Sequence, residues 1–149
     1  MSEVKKFSYI MIETCLRDHK IRFLRDEEND IVVQFRYDPD CACELTFYLM
    51  AQGEKQEIYT LFCRSDRRFG TEEWERALVL SNTWNRERRW PKSYLRSFGE
   101  NGAAYGELCL EEHIDLEAGI HQELLSSFTM NFFASSFGFW RWLHQEQHF

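Results

Sequence analysis

Residues 31–63 read IVVQFRYDPDCACELTFYLMAQGEKQEIYTLFC, and this stretch decides the fold. Three runs rich in β-branched and aromatic residues, 31–37, 45–50 and 58–63, are parted by Asp38-Pro39-Asp40 and by the turn around Gly53. Such residues suit the pleated, half-buried surface of a strand. The breaks are too short for helical crossovers, so the strands are expected to pair antiparallel with their neighbours in sequence. Upstream, residues 21–24 add a short apolar run before the turn-forming stretch Asp26-Glu27-Glu28-Asn29-Asp30. Further upstream, Phe7, Ile10, Met11, Thr14 and Cys15 recur at helical spacing, which predicts an amphipathic helix over 4–19.

Downstream, Thr71 reads as a helix cap, with Glu72 and Glu73 placed to favour the helix dipole. Trp74, Ala77, Leu78 and Ser81 mark the apolar face, and Pro91 ends a helix reaching about residue 88. A strand at 93–98, a turn at Glu100-Asn101-Gly102 and a strand alternating from Tyr105 to Ile114 make a hairpin. A last, unusually apolar helix runs from near Glu117 into the 140s, with Gly138 a place to kink or end it. The expected architecture is one α+β domain over 1–149, a single antiparallel sheet packed against helices in the order α-β-β-β(-β)-α-β-β-α.

A chain of 149 residues, 44% hydrophobic and 29% charged, is ordinary for one globular domain and needs no disulfide or metal to hold a core. The opening MSEVKKFSYIMIETC lacks the pattern of a secretory signal, and no run of about 18 apolar residues would span a membrane. With five cysteines, an odd number, reduced thiols in the cytoplasm are the simplest expectation. The net charge of −7 is uneven: residues 64–98 carry nine basic and five acidic groups, and residues 99–149 carry one and eight.

The segment Asn82-Thr83-Trp84-Asn85-Arg86-Glu87-Arg88-Arg89-Trp90-Pro91-Lys92-Ser93-Tyr94-Leu95 resembles the YbjN-domain family, described as bacterial sensory transduction regulators. The shared pattern is a helix ending in Asn-x-x-Asn (Asn82 and Asn85), a basic stretch, a small hairpin and a long final helix. Asn82, Trp84, Asn85, Arg86, Arg89, Trp90, Pro91, Lys92 and Tyr94 carry the match. The resemblance implies a fold similar to type III secretion chaperones and a non-enzymatic, protein-binding, chaperone-like or regulatory role as a homodimer with a protein client. It implies no cofactor.

Read as residues, Asn82 and Asn85 share a helix face and are expected to be a buried amide pair fixing the junction with the strand after Pro91. The basic segment 64–96 could serve a nucleic-acid or anionic partner, with Trp84, Trp90 and Tyr94 for stacking. Its interspersed glutamates and the acidic whole favour solvated ion pairs instead. Cys41-Ala42-Cys43 and the run from His144 to His148 lack the spacing of metal sites. No phosphate loop, nucleophile elbow or paired carboxylate points to catalysis. Phe128, Phe132, Phe133, Phe137, Phe139, Trp140 and Trp142 form a band wider than a single sheet-facing stripe; the excess has two readings, further core or an interface, and these residues are taken as the candidate interface.

Overall fold

A computed structural model describes residues 3–100 and 103–149. Among these residues, three α-helices and six strands follow one another as α1 (Tyr9–Asp18), β1 (Leu24–Arg25), β2 (Ile31–Asp38), β3 (Cys43–Gln52), β4 (Ile58–Ser65), α2 (Trp74–Glu87), β5 (Lys92–Glu100), β6 (Ala103–Asp115) and α3 (Gln122–Arg141). A short 3-10 turn, Thr71–Glu73, leads into α2, and a π turn, Trp142–Glu146, extends α3. The strands form one antiparallel sheet in the order β1-β2-β3-β4-β6-β5. The α+β architecture expected from the sequence is thus found. The meander holds from β1 to β4, but β6 then inserts beside β4 and leaves β5 at the sheet edge. Asn101 and Gly102, expected at the hairpin turn, lie outside the described residues.

The alternation of the strands separates two unlike faces. Leu45, Phe47 and Leu49 of β3, Tyr59, Leu61 and Cys63 of β4, and Leu108 and Leu110 of β6 are all buried on the inner face. All three helices pack there. Met11 of α1 holds α3 through its carbonyl, which accepts from Gln122 Nε2 at 2.9 Å. On α3, Thr129 Oγ1 lies 2.7 Å from the Tyr59 hydroxyl, and on α2, Ser81 Oγ lies 2.6 Å from Ser93 Oγ of β5. Gly106 of β6 admits the start of α2 closely: a Cβ there would lie 2.7 Å from Trp74 Nε1 and 2.9 Å from atoms of Leu95 and Phe69.

Several expectations are corrected. Helix α1 starts at Tyr9, since Lys5 instead forms a bridge with Ile120. Ile10 and Leu78, expected inside, are 72% and 54% exposed. Ile12 and Leu16, and Leu80 and Trp84, take the core-facing positions instead. Helix α3 starts later, at Gln122, and passes Gly138 without ending. Cys41 sits in the turn before β3 and Cys43 at its start, and both are buried.

The aromatic band of α3 is also corrected. Phe132, Phe133, Phe139, Trp140 and Trp142 are buried, and Phe128 and Phe137 pack against the core. The reason is that α3 is the central helix. One flank meets the sheet, where Phe133 and Phe137 contact Phe35 and Phe47 at ring separations of 4.6–6.2 Å. Another meets α2, where Trp84 lies 5.1 Å from Phe139 and 5.5 Å from Trp142. A third meets α1. A helix covered on three sides requires a wide apolar band, so these rings do not form an exposed interface.

Candidate functional site: the open face of the sheet

The outer face has no helix over it among the described residues. Its pairs are set by register: Thr46 with Arg64 and Tyr48 with Phe62 across β3 and β4, then Arg64 with Cys109, Phe62 with Glu111 and Thr60 with His113 across β4 and β6. Lys92, Tyr94, Arg96 and Phe98 of β5 face Glu111, Cys109, Glu107 and Tyr105. Long side chains roof this surface so well that Phe62, Glu107 and Cys109 are buried on a face without a helix layer.

Glu107 is the centre of the arrangement. One carboxylate oxygen, Oε1, accepts from Arg64 Nη2 at 2.6 Å and lies 3.5 Å from Arg68 Nε, while its side chain is 1% exposed. Taking a carboxylate out of water costs several kcal/mol unless cations compensate it, and here two do. The other oxygen, Oε2, is buried without a partner, and so is Nε of Arg96 directly across the strand pair. Arg96 is held by rings instead: its guanidinium lies 5.3 Å from the Phe62 centroid and 4.9 Å from that of Phe98. Phe98 stacks on Tyr105 at 5.0 Å, and Arg68 lies over Tyr105 at 4.5 Å. Cation–π contacts of this kind prefer Arg, whose planar group stacks. Beside this ladder is a depression of about 490 Å³ lined by Arg64, Arg68, Glu107, Glu44, Asp66 and Tyr48, among others.

A second polar chain crosses the same face. Lys92 Nζ lies 3.2 Å from Glu111 Oε2, His113 Nε2 lies 3.3 Å from the same oxygen, and His113 Nδ1 lies 3.1 Å from Thr60 Oγ1. The order hydroxyl, imidazole, carboxylate resembles a nucleophile relay. Thr60, however, is 1% exposed and its hydroxyl donates to Gln52 Oε1 at 2.8 Å, so it is not offered to a substrate. The chain ties strands together.

The residues quoted for the family match divide into two sets. One staples α2 to β5: Trp84 Nε1 donates to the Pro91 carbonyl at 3.0 Å, and Asn85 exchanges two hydrogen bonds with the backbone of Ser93, at 2.8 and 2.9 Å. The other is on the surface: Asn82, Arg86, Arg89 and Trp90 are exposed, while Lys92 and Tyr94 lie on the outer face of β5. The expected buried amide pair is therefore corrected: both side chains are exposed, and of the two it is Asn85 that bridges to β5. The basic segment is likewise split. Arg64, Arg68, Lys92 and Arg96 belong to the open face, Arg67 and Arg76 hold the carbonyls of Phe149 and Gln147, and Arg88 covers the Trp84 ring. Several of these cations are engaged by Glu107, Glu87 and Glu111.

Among the described residues, no group of three or more His, Cys, Asp or Glu side chains could hold a metal ion. The five cysteines are free and buried. Burial pushes the thiols of Cys41 and Cys109 up to about 11 and that of Cys43 up to about 12. Among the described residues, no helix is long and apolar enough to cross a membrane. Sequence reasoning missed Glu107: alternation placed it on the polar side of β6, and nothing local signals the arginines that converge on it from β4 and the following loop.

No curated protein sequence matches the chain significantly. The crystal structure of YbjN from E. coli, titled a putative transcription regulator, superposes with a TM-score of 0.71. It covers 97% of each chain at 9% identity, a likeness of fold alone. The sequence profile of the YbjN family, described as "Putative bacterial sensory transduction regulator", matches residues 8–145. The chain belongs to the YbjN family.

Proposed function

We propose that the protein is a non-enzymatic regulatory module that acts as a homodimer and binds a partner polypeptide in the cytoplasm. The dimer contact is assigned to the free edge of β5 and the neighbouring stripe of α2, in place of the aromatic band that α3 buries. The carrying observation is that this edge is open and greasy. Gly106 exchanges backbone hydrogen bonds with Phe69, at 2.8 and 3.1 Å, so its polar groups turn away from β5. Its register partner Ser97 must then point its own N–H and C=O outward, as Ser93 does toward Asn85. Leu95 and Gly99 share that parity. Leu78 and Val79 on α2 are 54% and 60% exposed, and Leu78 lies two turns from Asn85 on the flank overlooking the edge.

An unprotected edge strand pairs readily with another. A two-fold axis through Ser97 would pair Leu95 with Gly99 of the second copy and set Arg96 opposite the second copy's Phe98, extending the cation–π ladder across the contact. The two open faces would then form one continuous surface for an extended client. The family's regulatory description and the five unpaired thiols support this reading. The splitting of the basic segment and its pairing with glutamates weigh against the nucleic-acid alternative.

Sedimentation velocity tests the contact. A dimer is expected at about 50 μM, converted to monomer by Ser97→Pro or Leu78→Glu. Proline is tolerated on an edge whose N–H faces outward, so Ser97→Pro should melt within a few degrees of the wild-type monomer. A wild-type monomer at that concentration, or dimers of both variants, would overturn the assignment.

A further inference from the structure

We infer that the depression beside Glu107 is a binding site for a zwitterionic α-amino acid. The inference stands apart from the dimer contact, which lies along β5 and α2, and concerns a ligand rather than a polypeptide partner. Two arginines and three carboxylates line the depression: Arg64 and Arg68, with Glu44, Asp66 and Glu107. A bare anion would meet an excess of like charge, and a bare cation would meet both guanidinium groups. A ligand that carries both signs a few ångströms apart satisfies both sets.

The arginines are preorganised for the carboxylate end. Both are drawn to a single oxygen of Glu107, Arg64 firmly at 2.6 Å and Arg68 more loosely at 3.5 Å, which leaves most of their five N–H donors for another acceptor. Guanidinium groups bind carboxylates in a two-point fork, the strongest and most directional pairing available to them. The ammonium end has its own acceptors. Glu107 Oε2 is an unpartnered carboxylate oxygen in a side chain that is 99% buried, and such an orphan acceptor calls for a donor. Asp66 is fixed at the rim by accepting from the Glu44 backbone N–H at 3.0 Å. Arg68 is the looser of the two arginines, 54% exposed and 3.5 Å from the Glu107 carboxylate against 2.6 Å for Arg64, so its swing toward an incoming carboxylate would open the way to the Glu107 carboxyl. The volume of about 490 Å³ suits one amino acid with its side chain directed toward Tyr48.

Titration calorimetry and thermal shift of the full chain with each common L-amino acid at up to about 10 mM tests the site. At least one is expected to give saturable heat and a higher melting temperature. Its N-acetyl and carboxamide derivatives, each missing one charge, should bind at least about tenfold more weakly. Arg68→Ala and Glu107→Gln should weaken binding by a similar factor. Arg68→Ala leaves Arg64 on the Glu107 carboxylate and removes a half-exposed side chain, so it should lower the melting temperature by only a few degrees and still fold, and it decides the matter if Glu107→Gln fails to fold. The proposal falls if no amino acid saturates, if the derivatives or Arg68→Ala bind as tightly as the parent pair, or if inorganic phosphate gives the only response.

Discussion

Glu112 lies opposite Leu61 on the helix-covered face of the sheet, where its carboxyl loses hydration. Burial raises it to about 7 from an ordinary value of 4.5. Its proton is therefore bound more tightly in the folded chain than in the unfolded one. The stability this gives is complete below about pH 4.5 and drains away as pH rises to about 7, where the folded carboxyl finally ionises. Glu112→Gln removes the penalty. Its stability advantage should be near zero at pH 4 and grow to about 1–2 kcal/mol at pH 8, allowing for solvent screening. Urea melts of both proteins across that range check the sign; an advantage that shrinks with rising pH would refute the desolvation account. Glu107 is more deeply buried than Glu112, but Arg64 and Arg68 compensate it directly. Two glutamates on one strand thus differ in whether cations reach them because neighbouring residues differ, not because their own strand does. No reading of residues 103–115 alone could separate them.

At the level of elements, the junction from α2 to β5 is where the family pattern acquires a physical meaning. Asn85 does for Ser93 what a neighbouring strand would do, donating to its carbonyl and accepting from its N–H. Ser93 is 4% exposed, so neither group has easy access to water. Asn85→Ala should cost about 1–3 kcal/mol, the penalty of orphaning buried polar groups. Asn82→Ala, three residues away but in solvent, should stay within about 0.5 kcal/mol. Equal costs from chemical denaturation would contradict this division of the motif. The strands and their faces were readable in the sequence because alternation is local, as in residues 45–50. The helix faces expected from the sequence fall a step out of phase at Ile10 and Leu78, because one residue turns the chain by about 100°. The insertion of β6 between β4 and β5 was not readable, since only the pairing of Arg64 with Cys109 and its neighbours records it. The same holds for the role of α3. Its wide aromatic band had two physical outlets, a partner or two flanking helices, and only the packing of α1 and α2 against it decides between them.

On the scale of the whole molecule, the sheet divides the protein into a side sealed by helices and a side sealed only by its own long side chains. The cysteines sample both. Cys15, Cys41, Cys43 and Cys63 belong to the helix-covered core, whereas Cys109 sits on the open face opposite Tyr94 and Arg64. All five thiols are raised by burial, so each should be unreactive while its cover stays in place. The covers differ in kind. Exposing Cys63 requires α3 to leave the sheet, which is close to global unfolding, while exposing Cys109 requires only that side chains such as Arg96 and Tyr94 swing out. Local openings of that sort cost much less than the full unfolding free energy. In native protein at pH 8, Cys109 should therefore be alkylated at least about tenfold faster than Cys63, as read by peptide mass spectrometry. In denaturant all five should react alike. If Cys109 is protected as long as Cys63 in the native protein, the roof of the open face is as rigid as the helical layer, and a surface built to admit a ligand or a client is the wrong description of it.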